Sequence, residues 1–414
     1  MRYATLTLIL LSVLPAGCGR ESTAPQPSEP EDYGKLPGLS RSKNQKLRDE
    51  LERIKEGSGT PEQLDRTLPP EKDNVAAGLV TLFKRNKAKS ILQRTERLFP
   101  QDRFKFTPLK LQDAIELRDK YDAQRKQARV ALKRPQCDFG ISHAYGFSAE
   151  LESIEVVRVC AHLEAFHAAD VLDAGKVSEA VVSLAAMLRL AECLGAEEHL
   201  DCRLHAAYIR GEAFRVLLEI VQHDRTTPVQ LSRLQTVVQK QLESWPADAD
   251  AWIGERAMGM HAYEMVRNGD FHLLLLPEEI AEFGEEASLR EVIATTVRNV
   301  DRDELYYLET MCKIIDTCRE PFYRRAETLE SIARDLQERQ DADDFSTVAA
   351  RLLLRRIGQG QEIQTQDRAN WEAWALALAM ATGSEIPPYK LNPLTGEEYR
   401  RARLDKSVVV EKFG

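Results

Sequence analysis

The chain has 414 residues, 57 Lys and Arg against 66 Asp and Glu, a net charge of −9 and 43% hydrophobic residues. That length suits two or three folded units of about 150 residues each, and the composition excludes a chain too polar to bury a core. The acidic balance excludes nucleic acid as the main partner, because phosphate binding needs a basic footprint.

Residues 1–18 read as an export signal. Arg2 supplies a positive start and residues 4–14 form an apolar run, shorter than the roughly 20 apolar residues a membrane-crossing helix requires. The run ends in Leu14-Pro15-Ala16-Gly17-Cys18, which resembles a bacterial lipobox except at Pro15, where a branched aliphatic residue is usual. The resemblance implies cleavage before Cys18 and diacylglycerol on its sulfur. Gly19, in place of the aspartate associated with inner-membrane retention, points to a protein of the envelope or periplasm anchored in the outer membrane. Acyl chains stabilise such anchoring by about 0.8 kcal/mol per buried CH₂. The alternative is an ordinary secretory signal in which Cys18 is incidental.

Residues 19–41 are rich in Pro, Ser and Glu and are expected to form a disordered spacer. The next segment, 42–135, reads as an N-terminal helical region. Within it, residues 84–134 hold 16 Lys and Arg against 6 Asp and Glu, a local charge of +10 against −19 elsewhere. Such a segment either faces an anionic lipid surface or packs against the acidic remainder.

A main helical domain is expected over 136–385, because apolar residues recur with the helical period of about 3.6. Leu204, Ala207, Tyr208, Gly211, Phe214, Leu218 and Val221 form one stripe; Val181, Leu184, Ala185, Leu188 and Ala191 form another. Stops fall at Asp173-Ala174-Gly175, Thr227-Pro228, Trp245-Pro246, Asn268-Gly269-Asp270 and Glu320-Pro321. Gly358-Gln359-Gly360 reads as a helix end followed by a loop, and Trp371 and Trp374 as core. The fold expected is all-α: an irregular bundle or superhelix of antiparallel helix pairs. The pair over 151–194, with Gly175 at its turn and small Ala168 and Ala180, resembles a tetratricopeptide helix hairpin, although no second copy follows in register. Residues 386–414 change character. Asn392-Pro393-Leu394-Thr395-Gly396 is turn chemistry, and 399–403 with 407–413 are expected to pair as a short β-hairpin packed on the bundle.

Asp73-Asn74-Val75-Ala76-Ala77, Arg134-Pro135-Gln136-Cys137-Asp138-Phe139, the Gly175 hairpin and the closing Asn392–Gly396 turn with Val408-Val409-Val410 resemble a group of uncharacterised exported helical proteins of planctomycete-type bacteria. In that group the closing motif usually reads Asp-Pro-Phe-Thr-Gly, from which Asn392 and Leu394 depart. The resemblance implies architecture and compartment and brings no assigned activity.

Six cysteines follow Cys18, and in an oxidising compartment an even number invites disulfides. Cys193 and Cys202, flanking the turn at Gly195-Ala196-Glu197, are the expected local pair. His199 and Cys202, with Glu198 and His205 close by, lack the paired spacing of a zinc set, and no metal or cofactor is expected. No nucleophile elbow or phosphate loop occurs. The reading that follows is a non-enzymatic interaction or scaffold protein, held at the membrane through Cys18, whose helical surface binds a protein or an envelope polymer. The alternatives are an envelope hydrolase acting through carboxylates in a cleft, whose separation sequence spacing does not set, and a binder of a small apolar ligand.

Overall fold

The computed structural model describes residues 42–100, 106–149, 151–270, 286–342, 348–354 and 357–399. Cys18, the spacer and, apart from Tyr399, the expected C-terminal hairpin lie outside them. Helices α1 (Gln45–Glu56), α2 (Pro61–Leu64), α3 (Val75–Leu79), α4 (Arg85–Leu98), α5 (Pro108–Lys120) and α6 (Asp122–Ala131) come first. A 3₁₀ segment, His143–Ser148, precedes α7 (Glu152–Asp173), α8 (Val177–Gly195), α9 (Leu200–Gln222), α10 (Pro228–Glu243) and α11 (Asp248–Arg267). Then follow α12 (Glu286–Thr317), α13 (Phe322–Asp341), a π-helical turn Ala349–Leu353 and α14 (Ile357–Thr382). Among the described residues there is no strand, only isolated bridges between Asn74 and Gln136 and between Leu391 and Glu398. No described helix is long and apolar enough to cross a membrane.

The ends of these helices follow from local chemistry. Gly175, at φ +71°, closes α7: its N–H donates to the Leu172 carbonyl (2.8 Å), and the Lys176 N–H donates to that of Val171 (2.7 Å). This paired pattern needs a left-handed residue, which glycine adopts without a Cβ clash. Thr227 opens α10 in a capping box with Gln230, Pro228 supplying the first helical residue.

Apolar side chains gather in two clusters. The larger joins α3 to α10 with Trp371, Trp374 and Leu378 of α14; the smaller joins α1, α11, α12, α13 and the π-helical turn. Phe214 meets Trp371 and Trp374 edge-on, with ring centroids 6.4 and 5.6 Å apart. The central pair α7–α8 and its neighbour α9 are buried on most of their faces.

Two expectations are corrected here. Gly358 and Gly360 do not end a helix; they lie in the first turn of α14, where the Trp252 ring packs so near Gly360 that a Cβ would stand 3.0 Å from it. The apolar stripe expected on α9 is mostly its half-buried flank, with Gly211 exposed. The deeply buried face instead runs through Cys202, Ala206, Ile209, Ala213, Val216 and Ile220, with Arg203, Arg210 and Glu212 among them. Charged residues on the inner face hid it from a count of apolar periodicity.

The basic segment divides between inside and outside. Arg125 and Arg129 both reach Glu164 of α7, which is 1% exposed, with Arg129 Nε at 2.6 Å from Oε1. Arg118 donates to Asp170 at 2.9 Å, and Arg158 of α7 pairs with Glu96 of α4 at 2.6 Å. Lys84, Lys87, Lys110, Lys120, Lys126 and Lys133 remain exposed. Part of the local charge therefore neutralises acids at the centre of the bundle.

The closing turn forms as expected. The Leu394 N–H donates to Asn392 Oδ1 (2.8 Å), Gly396 sits at φ +73°, and the Tyr323 N–H of α13 donates to the Pro393 carbonyl (3.3 Å). Tyr399 donates to Glu372 of α14 at 3.1 Å, fastening the end of the described chain to the bundle.

Replacing Glu164 with Ala takes the carboxylate from Arg129, which keeps only Ser183, and leaves Arg125 with Asp122 alone, and is expected to cost about 3 kcal/mol of stability. Urea unfolding measures it, and a loss below about 1 kcal/mol contradicts the assigned pairing.

Candidate functional site

Titratable side chains converge where the turn after α8 enters α9 and meets α11. The turn is held from three sides. Glu197, 8% exposed, accepts from the Phe139 N–H at 2.9 Å, and burial raises it to about 7. Arg66 pairs with Glu198. His143 of the 3₁₀ segment bonds the Glu198 carbonyl through Nε2 at 2.8 Å, while Asp65 accepts from the His143 N–H (2.8 Å) and the Ser142 hydroxyl (2.6 Å). Helix α11 passes so close that a Cβ on Gly254 would stand 1.6 Å from the Glu198 carbonyl oxygen. Only a glycine permits that approach.

His199 caps α9. Its Nδ1 accepts the Asp201 N–H at 3.1 Å, which places the ring proton on Nε2. The ring is 3% exposed and Nε2 has no partner among the described residues. Burial, with the nearby His143 adding to it, lowers His199 to about 4. One turn further, burial with Arg158 and His199 lowers His205 to about 3, and its Nδ1 is buried without a protein partner. Both imidazoles are therefore neutral at neutral pH.

Two carboxyls, close enough to interact with one another, lie where α9 begins and α11 passes. Asp201 is exposed to water, yet the protein crowding around it raises it, although the positive end of α9 works in the opposite sense. Glu255 of α11 is half-buried; desolvation by the surrounding protein, with the charge of Asp201 added, pushes it up to about 8. Its backbone carbonyl accepts the Tyr307 hydroxyl at 3.0 Å, fixing this stretch of α11 against α12. Acids that water reaches but protein surrounds line a recess. At neutral pH it holds His199 Nε2–H and protonated Glu255 as donors, with Asp201 as an acceptor.

A second constellation resembles a nucleophile relay and is not one. His162 Nδ1 lies 2.6 Å from Thr95 Oγ1, and its Nε2 lies 2.9 Å from Glu212 Oε1. The threonine hydroxyl also donates to the Leu92 carbonyl of its own helix at 2.8 Å. All three residues are at most 2% exposed. No substrate reaches them, and the trio serves as a polar joint between α4, α7 and α9.

Of the residues singled out from sequence, His199, Glu198 and His205 come together at the head of α9, while the cysteines are scattered. Cys193 and Cys202 are both buried, and neither sulfur is bridged in this structure. Cys312 sits near Glu50, Arg53 and Arg256, while Cys318 is buried beside Arg325. Among the described residues no group of three His, Cys, Asp or Glu is arranged to hold a metal. Asp201 and Glu255 were missed. The spacing Asp201-x-x-x-His205 was a visible one-face signal next to His199, whereas Glu255 carried no local signal, because only the packing of α11 brings it to the turn. Comparison with protein-family models, curated proteins and solved structures finds no match.

The shifted groups fix how stability changes with pH. Glu255 and Glu197 bind their protons more tightly when folded, so their contribution is full below the ordinary carboxyl value near 4.5 and is lost as pH rises through about 7 to 8. His199 and His205 act in reverse: theirs is full above 6.5 and is lost as pH falls through about 4 to 3. The contribution of these four groups is greatest between pH 4.5 and 6.5, and the decline they cause from 6.5 to 8 is expected to be smaller in Glu255→Gln. Urea midpoints of both chains across that range measure it; an equal change in the two contradicts the assignment.

Proposed function

We propose that the chain is an exported, lipid-anchored protein of the cell envelope that acts by binding, and that the recess between α9 and α11 takes an uncharged, polyhydroxylated ligand such as the glycan portion of an envelope polymer. The observation that carries this reading is the buried, unpartnered Nε2–H of His199 beside Asp201 and Glu255. A buried donor left without an acceptor costs about 1–3 kcal/mol, and a ligand hydroxyl supplies the missing partner. Neutral imidazoles and a protonated carboxyl favour hydroxyl groups over ions, and a polar lining disfavours a purely apolar ligand. Anchoring rests on the Leu14–Cys18 motif, and the scaffold-like body rests on helices joined by paired charges.

A second reading rests on Glu255 alone. A carboxyl that keeps its proton to about pH 8 next to a second acid has the division of labour of glycoside cleavage, proton donor and carboxylate. Product release from envelope glycans, abolished by Glu255→Gln, would establish catalysis over simple binding.

Two measurements test the proposal. Cys18→Ser is expected to move the protein from the membrane pellet to the soluble fraction; retention in the pellet rules out that anchor. His199→Asn keeps an acceptor at the cap while withdrawing the Nε2 donor. Calorimetric titration with soluble envelope glycan fragments is expected to show binding to the unaltered protein and at least about tenfold weaker binding to this variant, a change of about 1.4 kcal/mol. Equal affinity for both, or no binding to either, removes the recess from consideration.

A further inference from the structure

Helix α4 buries one face and presents another whose charges have a single sign. Ala88, Ile91, Leu92 and Thr95 recur at helical spacing and are buried, where α4 packs against α5 and α7. Lys87, Ser90, Arg94 and Arg97 recur on the opposite side and are all exposed. Glu96, the one acid of the helix, is turned to α7, where Arg158 holds it at 2.6 Å. The first turn contains no acid, and Lys84, the residue before the helix, makes no side-chain cap. The partial positive charge of the helix start therefore adds to that of the side chains.

The end of α5 extends this face. Lys87 Nζ lies 5.5 Å and Lys120 Nζ 5.6 Å from the centroid of the Tyr121 ring, which is buried and meets Phe83 edge-on. Two ammonium groups from different helices are thus drawn to one ring. Asp119, beside Lys120 in sequence, is taken by Arg118 Nε at 2.9 Å. The exposed acids Asp113 and Glu116 lie one to two turns back along α5 and bound the patch on that side. Among the described residues, no carboxylate pairs with Lys84, Lys87, Arg94, Arg97 or Lys120. None of the large apolar side chains exposed among the described residues belongs to α4. Protein interfaces are built around an apolar or aromatic centre. A field of point charges without one fits a surface whose own charges are mobile, which is a lipid surface.

We propose that the outer face of α4, with Lys84 and Lys120 beside it, docks on an anionic phospholipid surface and so sets which side of the body faces the bilayer. Lys and Arg gain from the negative potential of such a surface only within a Debye length, about 10 Å at 0.1 M salt. A tether does not choose that side. Residues 19–41 span at most about 80 Å when fully extended, whereas a compact body of about 350 residues has a radius of gyration of about 20 Å. With that reach every face can approach the membrane, and charge decides between them. The tether argument rests on the lipid-anchored reading; the charged face stands without it. The attraction is reversible and screened by salt, so a chain without acyl groups leaves membranes in a salt wash.

The test uses the purified full chain carrying Cys18→Ser, which removes any acyl group. It is sedimented with vesicles of phosphatidylcholine alone, or of equal parts phosphatidylcholine and phosphatidylglycerol. Insertion of the apolar residues 4–14 registers on both, so the readout is the ratio of the two partition coefficients. That ratio is expected to be at least about tenfold in favour of the anionic vesicles in about 50 mM salt and to vanish in about 500 mM. Lys87→Glu, Arg94→Glu and Arg97→Glu together are expected to abolish it, with helicity by circular dichroism unchanged, because no buried partner is lost. Lys240→Glu, Lys313→Glu and Arg319→Glu, an equal change of charge at exposed positions elsewhere, are expected to keep most of it. Equal partition of the Cys18→Ser chain onto both vesicles overturns the proposal, as does a preference that survives the first triple change or falls equally with both. A preference that persists when fractionation has disproved the Cys18 anchor removes the anchor and leaves the docking face.

Discussion

A charge moved from water into a helix bundle must find an opposite charge there, because the cost of desolvating it alone exceeds what most packing contacts return. In this chain that requirement ties together helices far apart in sequence. Arg125 and Arg129 meet Glu164 across α6 and α7. Arg210 of α9 meets Asp367 of α14 at 2.7 Å, with the Trp245 ring beneath its guanidinium at 4.3 Å. Arg325 of α13 reaches Asp248 of α11 at 3.0 Å. Asp303 of α12, 0% exposed, accepts the Tyr263 hydroxyl and the N–H groups of Val348 and Ala349, which places the π-helical turn. Apolar surface brings such helices together without direction, while each pairing permits one register.

The same constraint separates structural polar groups from functional ones. The Thr95, His162 and Glu212 trio is joined by hydrogen bonds through the imidazole and is sealed from water. Every member lies behind packed helices. At the head of α9 the situation is different: His199 spends one ring nitrogen on its own backbone and has none of the protein's acceptors for the other, and Glu255 and Asp201 are raised by their surroundings without an arginine or lysine among the causes. Unfinished hydrogen bonding at His199, next to an acid that water reaches, Asp201, is where a ligand has something to contribute.

The recess also depends on pieces that carry no chemistry. Gly254 lets α11 approach the Glu198 carbonyl, Asp65 holds the 3₁₀ segment from outside, and the Cys137 loop ties the turn to α3 and α8. A change at any of these moves His199 without touching it. The basic segment takes a comparable double role: its arginines complete buried pairs while its lysines keep the surface positive.

Local order in the chain was written in adjacent residues. The Gly175 turn, the Thr227-Pro228 cap, the Asn392–Gly396 turn and the helical period of α8 each depend on neighbours a few positions away, so they were legible before any fold was known. The inner face of α9 was not, because Arg203, Arg210 and Glu212 are tolerated inside only through partners on other helices. Gly360 read as a helix end because its reason for being glycine is the Trp252 ring, more than a hundred residues earlier. The approach of Glu255 to Asp201 was likewise decided by packing alone. Spacing along one helix sets which residues share a face, whereas which face meets which is settled only when every buried charge and every apolar surface is accommodated at once.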